Sequence, residues 1–90
     1  MNIHLILNFL QQLADNNSTA WMHEHKALYQ EARKEFEQGV ADTINTLTPI
    51  DPTIAHLAPK DCCFRLNRDI RFSQDKSPYK RHFGAYISAH

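Results

Sequence analysis

Between Phe64 and Lys80 the sequence reads FRLNRDIRFSQDKSPYK, seventeen residues that hold three arginines, two lysines and two aspartates. Charged donors at that density suit an anion, because a charge-assisted hydrogen bond is the stronger kind and a guanidinium grips two oxygens at once. Asp69 lies two residues from Arg71 and four from Arg65, so its carboxylate can orient one guanidinium and leave the other's donors free. The candidate ligand-binding set is therefore Arg65, Arg68, Asp69, Arg71, Asp75, Lys76, Tyr79 and Lys80, with Asp69 or Asp75 orienting a base or acting as one. The ligand class would be a small phosphate or carboxylate. The opposing reading is a solvated, ion-paired face, which is common without function.

Such a set needs a rigid support. With a period of two, Phe64, Leu66, Ile70 and Phe72 fall on one face and Arg65, Asn67, Asp69, Arg71 and Ser73 on the other, the pattern of a half-buried strand over about residues 62–72. Arg68 breaks the alternation. On the apolar side it must be either a structural ion pair or a group facing a ligand. Asp75, Lys76, Ser77 and Pro78 form a turn, because Asp and Ser bond to nearby backbone and Pro78 keeps Ser77 extended. Lys80, Arg81 and His82 add charge before a second expected strand over about residues 83–89, giving a hairpin or short antiparallel sheet.

Upstream, Ile3, Ile6, Leu7, Leu10, Leu13 and Ala14 recur at helical spacing and predict a first helix over about residues 3–14. Asp15, Asn16 and Asn17 end it, and Asn17 or Ser18 caps a second helix over about residues 19–47, whose apolar positions run from Trp21 through Leu28, Ala32, Phe36, Val40 and Ile44. Gly39 is its weak point. Pro49, Pro52 and Pro59 make residues 48–60 a connector. The fold class expected is α+β, two helices over a β-hairpin, as a single partial domain spanning residues 1–90 and belonging to something larger.

Ninety residues form one small domain that buries only about 60 to 65% of its unfolded surface. Ten basic and ten acidic residues cancel overall, yet Met1 to His56 holds three basic against seven acidic residues and the remainder seven against three. That local excess is too modest for general nucleic-acid binding. The apolar N-terminus is far shorter than a membrane span and reads as a cytosolic amphipathic helix. Cys62 and Cys63 are neighbours, no disulfide framework, and fit packing in a reducing cytoplasm. The six histidines lack metal-ligand spacing, so no metal is expected and no cofactor is indicated. His25 shares a helix face with Tyr29 and could bond to it, the favoured alternative being an ordinary helix-surface histidine.

Asn16, Asn17, Trp21, His25, Lys26 and Tyr29, followed by Phe64, Arg65, Arg68, Asp69, Arg71, Phe72, Ser73, Asp75, Lys76, Pro78, Tyr79 and Lys80, resemble the N-terminal signature of the domain of unknown function 2461 family. Ser18-Thr19-Ala20 departs from that signature, which carries a basic and an acidic residue before the tryptophan. The resemblance adds Trp21, His25, Lys26 and Tyr29 as secondary site residues, and it implies a chain shorter than its relatives, with strand edges open to self-association. It brings no activity. The functional alternatives are a non-catalytic protein-interaction module presenting Trp21 and Tyr29, or an inactive truncated fragment of a longer family member.

Overall fold

A computed structural model of the chain describes residues 1–88, so Ala89, the end of the expected second strand, and His90 lie outside the described residues. Helix α1 spans Ile3–Asp15 and starts where the Asn2 side chain accepts a hydrogen bond from the Leu5 amide at 3.1 Å. It ends where the Asn16 amide folds back to the Leu13 carbonyl. Its buried stripe is Ile6, Phe9 and Leu13, whereas Ile3 and Leu7, counted in the expected stripe, are exposed. Phe9 is the residue that pattern omitted, and it is wholly buried.

The second expected helix is two. Helix α2 spans Thr19–Glu24, capped by the Ser18 hydroxyl on the Trp21 amide at 3.1 Å, and helix α3 spans Lys26–Leu47. The break falls at His25, which leaves helical backbone geometry (φ −113°, ψ 22°). Its imidazole donates from Nδ1 to the Trp21 carbonyl at 2.8 Å and stacks on the Trp21 ring at 4.3 Å. A side chain that bonds its own turn competes with helix propagation, which accounts for the interruption. Tyr29 is not the partner of His25; its hydroxyl accepts from Arg33 instead, at 3.4 Å.

Helix α3, roughly 33 Å long at 1.5 Å per residue, is the spine against which α1, α2 and α4 (Pro59–Cys62) pack. A 3-10 turn at Pro52–Ile54, capped by Asp51, and the single turn of α4 occupy the connector, each begun by a proline whose missing N–H costs nothing at that position. Two apolar clusters result. One gathers Leu13, Met22, Ala32 and Leu66 around Phe9, with Trp21, Tyr29 and Phe83 packed against it; the other gathers Val40, Ile44, Ile54 and Cys62. The Phe9 ring stands 5.6 Å from Tyr29, 5.9 Å from Phe83 and 6.1 Å from Trp21, distances at which aromatic pairs attract beyond simple burial.

The α+β expectation is overturned: among the described residues there is no strand and no sheet, and four helices carry the fold. Residues 62–72 meet the later chain at two isolated antiparallel bridges, Cys63 with Ala85 inside residues 83–88 and Asn67 with Tyr79 ahead of them. The spacing of the bridges explains why they do not merge into a ladder. Four steps of chain separate Cys63 from Asn67, but six separate Tyr79 from Ala85, so the second segment carries two residues too many. The excess bends out at Arg81 and His82. The alternation also lapses beyond Leu66, which is buried, while Phe64 is exposed and Phe72 is 95% exposed. The chain turns at Arg71 and Phe72, with the Ser73 amide on the Ile70 carbonyl, before the apolar face is complete. The strand edges on which self-association was expected therefore do not form.

Candidate functional site

Arg68 is the centre of the loop it was expected to serve. Its Nη1 donates to the Ser77 carbonyl at 3.1 Å and pairs with the Asp75 carboxylate at 3.3 Å, while Nη2 reaches the Ser73 hydroxyl at 3.4 Å. One planar fork thus holds three loop residues, a geometry that an ammonium could not reproduce. Arg68 thus makes the ion pair that its position on the apolar side calls for, while its guanidinium stays partly exposed. Asp75 Oδ1 accepts from the Ser77 amide at 2.9 Å and the Ser77 hydroxyl at 2.6 Å, and these two bonds, with Arg68 and Arg81 nearby, hold its carboxyl below the usual carboxylate range. Lys76 closes the loop from the other end by donating to the Ile70 carbonyl at 2.6 Å.

Asp69 and Arg71 form a two-pronged pair, Nε to Oδ1 at 3.1 Å and Nη2 to Oδ2 at 2.9 Å, on open surface. Bonds from the Arg71 side chain and amide lower the Asp69 pKa. Arg65 is exposed and acts on Asp69 only through its field. These three residues line neither the cleft beside Arg68 nor the one facing α2.

Tyr79 is fixed by a residue sixty-two positions upstream. The Asn17 carboxamide accepts from the Tyr79 amide at 3.0 Å and donates to the Tyr79 carbonyl at 2.9 Å, copying the two bonds a neighbouring strand would make. Arg33 adds a second tie, donating to the Phe64 carbonyl at 3.3 Å and pairing with Glu37 at 3.1 Å. With Tyr79 held and the two extra residues bent outward, Lys80, Arg81 and His82 are brought beside Arg68. A cleft of about 230 Å³ is lined by Arg68, Asp75, Tyr79, Lys80, Arg81 and His82. The Lys80 ammonium also lies 5.6 Å from the Phe64 ring centre, within cation-π range.

A larger cleft, of about 360 Å³, opens on the other flank, where α2 and the start of α3 face Leu66, Asn67 and Tyr79. The helices contribute Thr19, Met22, His23, Lys26 and Tyr29. Lys26 and Tyr29 from the secondary set thus stand together with Tyr79, while Trp21 and His25 are half-buried and stacked on one another behind them. Absent from the expected set are Arg81 and His82 in the smaller cleft and Thr19, Met22, His23, Leu66 and Asn67 in the larger. The run of two cations and an imidazole after Tyr79 is visible in the sequence, but nothing local marks the register jump that aims it.

The family described as conserved hypothetical protein (DUF2461) matches residues 5–90. The chain belongs to that family. No curated protein and no solved structure matches it. Among the described residues of this DUF2461 member, no three His, Cys, Asp or Glu side chains converge as a metal requires, and no helix is long and apolar enough to cross a membrane. Burial pushes the Cys63 thiol up against the opposing pull of Arg33, and the thiol donates to the Pro59 carbonyl, so its environment is that of a packing residue of the DUF2461 fold.

Proposed function

We propose that this DUF2461 member binds a small anion, a phosphate or carboxylate, in the cleft between the Arg68 loop and the Lys80–His82 bend. The observation that carries the reading is a mismatch of charge: Arg68, Lys80 and Arg81, with the imidazole of His82, surround a single carboxylate, Asp75, already engaged by Ser77 and Arg68. The cleft is left with donors in excess of acceptors, which favours an incoming oxyanion. Of the wider set, Arg68, Asp75, Tyr79 and Lys80 belong to this reading, while Asp69 and Arg71 neutralise one another outside it. Asp75 is a loop fastener here. A carboxyl held below its ordinary range by two Ser77 bonds is a weak base, so the reading is of binding and assigns no reaction. Two adjacent free cysteines support a reducing, cytoplasmic setting for such a domain.

The test is titration of the full chain with inorganic phosphate and with acetate, followed by amide-resolved NMR. Saturable shifts centred on Lys80, Arg81 and His82 are expected, and the Lys80→Ala, Arg81→Ala double variant should bind about tenfold more weakly or worse. Both side chains leave the loop's internal bonds intact. Shifts of equal size in the double variant, or a response that grows linearly without saturating, would overturn the reading.

A further inference from the structure

We infer that the larger cleft on the other side of Tyr79 is a separate binding site, for a compact aromatic molecule carrying one carboxylate. The inference goes beyond the anion cleft, sharing only Tyr79 with it. At about 360 Å³ the space is of the size in which proteins hold small molecules. Its lining is of mixed character. Met22 and Leu66 are buried members of the Phe9 cluster and give it an apolar floor. Tyr29 and Tyr79 supply ring walls, and a planar aromatic body gains from contact with both rings and with the Met22 thioether.

The charge of the lining selects the polar end. Lys26 is its one permanently charged side chain, and neither Asp nor Glu takes part. One ammonium, with the Asn67 carboxamide and the Thr19 hydroxyl as neutral donors, matches a single carboxylate better than a doubly charged phosphate, which the arginine-lined cleft suits. The site is also preformed. Asn17 fixes the Tyr79 backbone from both sides, so that wall does not have to be ordered when a ligand arrives.

The experiment uses phenylacetate as probe on the full ninety-residue chain, with acetate and phenylacetamide as probes that keep only the charge or only the ring. Amide-resolved NMR should show saturable phenylacetate shifts at Lys26, Leu66 and Asn67, and none of saturating form at those positions with acetate. Phenylacetamide and the Lys26→Gln variant should each weaken the response about tenfold, the loss of one charge-assisted contact. Lys26 is exposed and makes no bond that holds the fold, so Lys26→Gln keeps the native spectrum. No saturable shift with phenylacetate, or unchanged affinity in Lys26→Gln, would overturn the inference. Phenylacetate shifts confined to Lys80, Arg81 and His82 would overturn it too while favouring the anion cleft, and phosphate shifts there without any phenylacetate response would separate the two sites' fates.

Discussion

The helical part of the molecule and the segment that follows it are held by different forces. Residues 3–47 are organised by burial: Phe9 is enclosed by Leu13, Met22 and Ala32 and ringed by Trp21, Tyr29 and Phe83. Residues 63–88 contribute one buried core side chain, Leu66, to that cluster, lay the half-buried Tyr79 and Phe83 against it and Ala85 and Ile87 against the second, and owe the rest of their fastening to polar contacts, the Asn17 clamp on Tyr79, the Arg33 bond to Phe64 and two lone bridges. Hydrophobic burial is non-directional and fixes a mass of side chains together, whereas a hydrogen bond fixes one atom. Of the charged residues that line the two clefts, Lys26 comes from the helix layer and Arg68, Asp75, Lys80 and Arg81 from the segment that follows it. Elements of low local stability are where binding loops are drawn from.

The contrast is broken most directly at Phe9. Phe9→Ala removes the hub of the aromatic cluster and should cost about 3–5 kcal/mol, enough to remove most of the cooperative transition of a domain this small; denaturant unfolding followed by circular dichroism measures it. Asn17→Ala comes next. It strips two bonds from the Tyr79 backbone and leaves part-buried polar groups unmatched, for about 1–2 kcal/mol. Its effect should be unevenly spread: hydrogen exchange should quicken at Leu66 to Tyr86 far more than in α1 and α3. Uniform quickening would mean that the two regions unfold as one.

The same division decides what was legible in the sequence. α1, its end at the Asp15–Asn17 run and a cap at Ser18, one of the two expected there, follow from residue types with a direct local mechanism, whereas the Asn2 cap was not read from the sequence. Phe9 was missed because three- and four-residue steps admit more than one stripe through ILNFLQQL, and only packing against α3 selects Ile6–Phe9–Leu13. The break at His25 depends on one imidazole preferring a carbonyl in its own turn, which periodicity does not encode. The strand failed for a tertiary reason, since alternation through Phe72 was real in sequence but two surplus residues around Arg81 and His82 prevent a continuous ladder. As for the site, the density of charge was legible and its engagement was not. Arg68 and Arg71 find their carboxylates at Asp75 and Asp69, close by in the chain, whereas the donors that converge without a carboxylate of their own, Lys80 and Arg81, come from outside the arginine run.

Acid sharpens the comparison without a mutation. The folded Asp75 carboxyl titrates below its ordinary 3.8, chiefly because of the Ser77 hydroxyl and amide. A depressed carboxylate adds stability that is present above the unfolded value and is lost as pH falls through the folded one. Below the ordinary carboxylate range, therefore, the Ser73 to Ser77 loop should release while the helices persist. The check is the pH dependence of the Ser77 amide signal against that of helical ellipticity; coincident loss of both would deny the loop its independence. In the helical part Gly39→Ala should act in the opposite direction, raising stability by up to about 1 kcal/mol, because a mid-helix glycine is replaced by the best helix former. A Cβ there would meet the Met1 sulfur at 2.6 Å, but Met1 is an exposed, flexible side chain that can swing aside.

The smallest effect is expected where the sequence pointed most strongly. Arg71→Ala dissolves a well-formed pair with Asp69, yet both groups are largely solvated, and the free energy of such a pair in water is nearly cancelled by the hydration and side-chain freedom it gives up. Midpoints of thermal unfolding for Arg71→Ala and the parent chain should coincide, and phosphate affinity should be unchanged because Arg71 does not line the cleft. The paired substitution Arg68→Ala is the control that gives this null result meaning. It is equally one arginine facing one aspartate, but it also holds the Ser73 hydroxyl and the Ser77 carbonyl, so it should lower the midpoint and weaken phosphate together. If the two variants behave alike, the loop is held by charge alone; if only Arg68→Ala matters, it is held by the fork geometry of a single guanidinium, and charge density was the wrong guide to the site.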